Sequence, residues 1–204
     1  GTTFSDAPDA QYGNGFASFN VTGPCNTLWA GPSFQIGASM DGAVPNTITI
    51  GTGGSISGGQ GILVGSRNYT VTNYGTITAN ADTKKFNLAG SENIALLFTG
   101  ETHATPYANS PQNMLINRGA IIGPGARGVG VASWGGHTII LNTGTITGAG
   151  YGIQTQDVRD SILVFGGEIS GGTAAIQTFG GKDRILVKGG EVSGGEYGIQ
   201  SGGG

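Results

Sequence analysis

The chain has 204 residues, 42 of them Gly, with only 10% charged residues and a net charge of −3. So little charge, with no basic stripe, argues against a nucleic-acid partner. No apolar run reaches the roughly 18 residues of a membrane span, and the single Cys25 excludes an internal disulfide. Gly at this level points to collagen, disorder or a repeat architecture. The strict three-residue Gly period of collagen is absent, and the aliphatic columns described below are too regular for a disordered linker.

Residues 1–45 are aromatic-rich, with Phe4, Phe16, Phe19, Trp29 and Phe34, and do not fit those columns. They are expected to form a cap or extension over the first coil, because a solenoid end exposes both core and sheet edge. The stretch Phe4-Ser5-Asp6-Ala7-Pro8-Asp9, then Tyr12-Gly13, and later Phe34 to Asp41, resembles the opening of GEVED-type modules of bacterial surface proteins. Asp6, Asp9 and Asp41 offer hard oxygen ligands of the kind Ca²⁺ takes, but too few to complete a shell. No metal or other cofactor is expected.

From residue 46 onward the sequence repeats. The three clearest copies begin at His137, Asp160 and Asp183 with a period of 23 residues. Alignment gives three aliphatic columns. The first is read as Ile50, Val71, Leu115, Ile140, Leu163 and Leu186; the second as Ile56, Ile77, Ile121, Ile146, Ile169 and Val192; the third as Ile62, Ile94, Val129, Ile153, Ile176 and Ile199. Each column sits in a short run of alternating apolar and polar residues, the signature of a strand. Three short strands and three Gly-rich bends per turn predict a right-handed, three-sided parallel β-helix. Each strand would pair with its equivalent about 4.8 Å away in the next coil. About six such coils are expected over 46–204. The chain begins at Gly1 without Met and ends in Gly202-Gly203-Gly204, where a coil would start. It reads as a piece of a longer protein, or as a protomer whose open end meets another chain.

The period breaks once. Val71 to Leu115 spans 44 residues, which places two insertions in one coil, at about 79–92 and 98–112. Insertions in a solenoid leave as surface loops, often on the binding face. These two gather Lys84, Lys85, Glu92, Glu101, His103 and Tyr107, a concentration of charge in a chain that has little, and they are the candidate binding residues.

Stacking also aligns Glu168 with Glu191 and Asp160 with Asp183, carboxylates about one coil step apart. A retaining glycosidase places its carboxylates about 5–5.5 Å apart. The coil imposes that spacing on every column, however, and these residues read as a solvated face. The chain's two histidines, His103 and His137, form no metal-binding pattern, and no nucleophile motif is present. No catalytic residue is therefore assigned. Gln154, Gln177 and Gln200 align as an amide ladder that would stiffen the coil. Outward Ser and Thr pairs such as Thr145 and Thr147 suggest a flat polar face, interrupted at Ala120, Ile122, Glu168 and Glu191.

The segment Ile140 to Gly148, echoed by Val71 to Ile77, makes residues 46–204 similar to the passenger regions of bacterial autotransporters and related adhesins. That resemblance implies export to the bacterial surface and a role in adhesion or biofilm, without enzymatic activity and without a shared catalytic motif. The expected partner is a host or matrix glycan or protein, met by the inserted loops. The alternatives are a subunit of an extracellular fibre, assembling end to end with like subunits, and a carbohydrate-active β-helix enzyme.

Overall fold

The computed structural model describes residues 46–64, 69–79, 93–99, 113–134, 137–156 and 159–202, together with five strand segments between residues 2 and 36. The N-terminal strands are β1 (Thr2–Phe4), β2 (Ala10–Tyr12), β3 (Ser18–Val21), β4 (Pro24–Asn26) and β5 (Pro32–Ile36). Four coils of three strands follow. They are β6 (Asn46–Ile50), β7 (Ser55–Gly58) and β8 (Gln60–Val64); β9 (Tyr69–Asn73), β10 (Thr76–Ala79) and β11 (Ile94–Phe98); β12 (Asn113–Asn117), β13 (Ala120–Gly123) and β14 (Val129–Trp134); and β15 (Thr138–Asn142), β16 (Thr145–Gly148) and β17 (Tyr151–Gln156). In the last two coils the first two strands run together, as β18 (Ser161–Gly171) before β19 (Ala174–Phe179) and β20 (Arg184–Gly194) before β21 (Tyr197–Gly202). No helix occurs among the described residues, and none is long and apolar enough to cross a membrane.

Every pairing is parallel and joins a strand to its equivalent one coil away. The result is a three-sided parallel β-helix. The third face is an eight-stranded sheet, and the first two faces join through the long β18. The core is built from the inward side chains of all three faces, with one continuous aliphatic column on each and further apolar residues such as Ile50, Val64, Phe98 and Val164 beside them. In the second column Ile56, Ile77, Ile121, Ile146 and Ile169 are at most 1% exposed, and they stand in register as the repeat predicts.

The other two columns need correction. On the first face the register partners are Ile48, Val71, Leu115, Ile140, Ile162 and Ile185, in place of Ile50, Leu163 and Leu186. The cause is the bend between the first two faces. Ile140 and Ile146 are six residues apart, whereas Ile162 and Ile169 are seven apart. The extra residue enters at Gly166-Gly167, where Gly167 has φ +71°, a conformation open to Gly at little cost. Ile48 and Ile56 are eight apart, around Gly53 at φ +88°. On the third face Leu96 and Val131 replace Ile94 and Val129: the insertion ahead of β11 and the bend of residues 124–128 ahead of β14 each take up additional residues before the inward position.

The described strands of the N-terminal segment belong to the same sheets. β3 pairs with β6, β4 with β7 and β5 with β8, so Phe19 is the register partner of Ile48, Cys25 of Ile56 and Phe34 of Ile62. The columns that the sequence reading stops at residue 46 thus extend further towards the N-terminus. Among the described residues β4 is the last strand of the second face, and it begins with Pro24, which has no N–H to offer an adjoining strand.

Candidate functional site

The candidate binding residues Lys84, Lys85, Glu92, Glu101, His103 and Tyr107 lie outside the described residues, as do Asp6, Asp9 and Asp41. What the structure places is their attachment. One insertion follows β10 and the other follows β11, so both leave one coil on either side of a single strand of the third face. Their limits are tighter than the sequence suggests. Ala79 and Phe98 are fully buried strand residues, so the insertions begin beyond them. All five residues of β11 are at most 1% exposed. Ala95, Leu96 and Phe98 belong to the prism core. Ile94 and Leu97 join Val129 and Ala132 in a second, separate apolar cluster, with Leu63, Trp134 and Tyr151 packed against it.

Glu168 and Glu191 are register partners and both are exposed, as the spacing predicts. The same coil step brings every other column into register, so the pairing carries no catalytic assignment. Among the described residues no three of His, Cys, Asp and Glu are grouped to hold a metal ion.

Asp160 departs from the expected solvated face, being 1% exposed. It lies at the corner between the third face and the first, and its side chain caps the preceding coil. Oδ1 accepts from the Thr138 amide at 2.8 Å and from the Ser133 hydroxyl at 3.4 Å. The Ser133 and Thr138 hydroxyls are themselves 2.9 Å apart. The motif recurs along the corner. Asn113 Oδ1 accepts from the Tyr69 amide at 3.1 Å, and Asp183 Oδ1 from the Asp160 amide at 2.8 Å. Repeated Asx at this phase therefore satisfies a backbone donor that the turn leaves unpaired. Asp160 Oδ2 and Thr155 Oγ1 are buried without a hydrogen-bond partner. Burial, reinforced by the neighbouring Asp183 charge and only partly offset by the Thr138 and Ser133 hydrogen bonds, pushes the Asp160 carboxyl up to about 7. Partial burial and the Arg159 charge lower the His137 pKa.

Two amide ladders run along the axis. The glutamine ladder forms as expected, with Gln154 Nε2 donating to Gln177 Oε1 at 2.8 Å and Gln177 Nε2 to Gln200 Oε1 at 2.6 Å. The second was missed. Asn73 Nδ2 donates to Asn117 Oδ1 at 2.9 Å, and Asn117 Nδ2 to Asn142 Oδ1 at 2.8 Å, all three residues being fully buried at the first bend. The signal was present as Asn two residues before Gly in three coils. The misplaced first column hid it, because Ile50 and Val164 occupy the same phase.

No protein-family model, no curated protein and no solved structure matches the chain.

Proposed function

We propose that the chain is the non-enzymatic stalk of a bacterial surface adhesin, secreted or displayed at the cell surface. In this reading the solenoid is a rigid spacer. The inserted segments around β11 engage a host or matrix glycan or protein. The observation that supports it is the common origin of both insertions: they flank one fully buried strand, so a rigid platform carries two excursions at one level of the prism. Loops on a rigid scaffold are where binding residues concentrate. The test replaces 80–92 and 100–112 together with short Gly-Ser connectors and applies both proteins to a glycan and matrix-protein array. The expected result is loss of all binding with the β-sheet circular dichroism retained. Binding that survives the replacement removes the loops as the site.

A second reading, a fibre subunit joined end to end, draws on the two ends of the third face. Gln11 and Gln35 at one end share a register column with Gln154, Gln177 and Gln200 at the other. In the last coil the core-column residue Ile199 is 45% exposed. A neighbour's β2 placed on β21 would continue both the sheet and the amide ladder. Pro24 heads the outermost described strand of the second face and offers no N–H for pairing, which ranks this reading below the first. Electron microscopy of concentrated protein decides it: filaments are expected, and monodisperse particles under all conditions reject it.

A further inference from the structure

The first face is aliphatic on both sides. Inward it presents Val71, Leu115, Ile140 and Ile162, all buried. Outward, in the alternate positions of β12, β15, β18 and β20, stand Met114, Ile116, Ile139, Leu141, Leu163 and Leu186, each partly exposed. Register sets Ile116, Leu141, Leu163 and Leu186 in one outer column and Met114 beside Ile139 in the next. One coil earlier the same two columns hold Thr72 and Thr70. Beyond Ile139 the second column continues as Ser161 and then Arg184. The stripe is thus contiguous over four coils, bordered at one end by Thr70 and Thr72 and flanked by Ser161 and Arg184 in the last two coils.

Strands with aliphatics on both sides are characteristic of sheets covered on both faces. Two sheets can pack face to face by interdigitating such rows of side chains. We propose that this face is a lateral interface through which two copies of the solenoid pair face to face, with their axes antiparallel. Spacing selects the partner. Side chains here recur about every 4.8 Å along the axis. A helix, at about 5.4 Å per turn, falls roughly half a step behind over four coils. A second copy keeps step over all of them. Charge selects the orientation. Arg184 is the only charged residue in the two outer columns from Thr70 to Leu186. With antiparallel axes it falls over the Thr70 and Thr72 end of the partner, and Leu141 meets Leu141 at the two-fold axis. Such an interface is isologous and closes as a dimer. Four coils by four residues is on the order of 250 Å² per copy, well under the roughly 800 Å² per partner of a standard stable complex. The pairing is therefore weak and becomes significant where copies are crowded. It does not depend on the stalk reading.

Sedimentation equilibrium of the 204-residue chain from about 10 μM to about 1 mM tests it. The expected result is a monomer at the low end and reversible dimer at the high end. Leu141→Lys with Leu163→Lys should hold the protein monomeric at 1 mM with an unchanged melting curve. Leu141→Thr with Leu163→Thr, which repeats the residue that Thr72 already supplies in that column, gives a variant safe for folding and should weaken the dimer at least about tenfold. Ile199→Lys, at the open end, should leave the dimer intact. A wild-type monomer at 1 mM, a dimer indifferent to both outward pairs, or a dimer abolished by Ile199→Lys each overturns the proposal.

Discussion

Asp160 is a carboxyl whose position and chemistry conflict. Its Oδ1 is needed to cap the Thr138 amide, while its Oδ2 is buried with no partner and Asp183 lies one coil away. Ionisation in that corner is unfavourable, which is why the pKa rises to about 7. The folded state therefore holds a proton that the unfolded chain, with an ordinary carboxyl, releases near pH 4. Stability linked to this group is fully present below that value and is lost as pH rises to about 7. A shift of about three units corresponds to at most on the order of 4 kcal/mol. Urea unfolding of the wild type at pH 4.5 and pH 8, beside Asp160→Asn, isolates the effect. Asn keeps the acceptor for Thr138 and cannot ionise, so the variant should show a clearly smaller pH dependence. Equal pH dependence in the two proteins would show that Asp160 titrates normally. A second residue-level contrast tests the core register. Ile146 is fully buried between Ile121 and Ile169. Ile146→Asp buries an unpaired charge and should cost several kcal/mol. Thr145→Asp, partly exposed beside Glu168, should cost less than about 1 kcal/mol. A larger loss from Thr145→Asp in chemical denaturation would reverse the in/out assignment.

At the scale of the strand and its bend, the parts of the fold readable in sequence are those where the number of residues between faces stays fixed. From Ile56 onward the second column was legible because an Ile or Val followed two residues later by Gly or Ala recurs in each coil, flanked by polar residues everywhere except at Ala120-Ile121-Ile122. The first column was not, because strands such as Ser161-Ile162-Leu163-Val164 are aliphatic at both parities, so alternation cannot tell in from out. The bend then decides the phase, and a second Gly shifts it by one residue. The same ambiguity concealed both the asparagine ladder and the outward stripe, and Asp160 looked like one more polar residue before a strand. The ladder gives its own test. Asn117 both accepts from Asn73 and donates to Asn142. Asn117→Ala removes the donor to the buried Asn142 Oδ1 and leaves Asn73 Nδ2 with only the Ala120 carbonyl, at roughly 1–3 kcal/mol for each lost bond. The expected loss is therefore about 2–6 kcal/mol, well above that of Gln177→Ala in the partly buried glutamine ladder. Guanidinium unfolding of the two variants ranks the ladders. A Gln177→Ala loss as large as the Asn117→Ala loss would place the stabilising network on the third face instead.

Across the whole molecule, stability is a sum over coils and the contacts between neighbours, because each coil touches only the next. That architecture makes length a free variable so long as phase is kept. Gln154 and Gln177 are register partners 23 residues apart. Deleting 154–176 joins Ile153 to Gln177 and removes one turn without moving any remaining column off its face. The product should fold with a β-sheet spectrum and a single cooperative transition, having lost one repeat and one interface. Deleting 154–175, one residue fewer, leaves the new strand a residue out of step. A shift of one residue in a strand exchanges its inner and outer side chains. Ile176 would then follow Ile153 directly, and the inward positions beyond it would be filled from the glutamine side of the ladder. That protein should be unfolded or aggregated at room temperature. Near-identical melting of the two deletions would mean that the coil tolerates loss of phase, and that the aliphatic columns do not set the register of the solenoid.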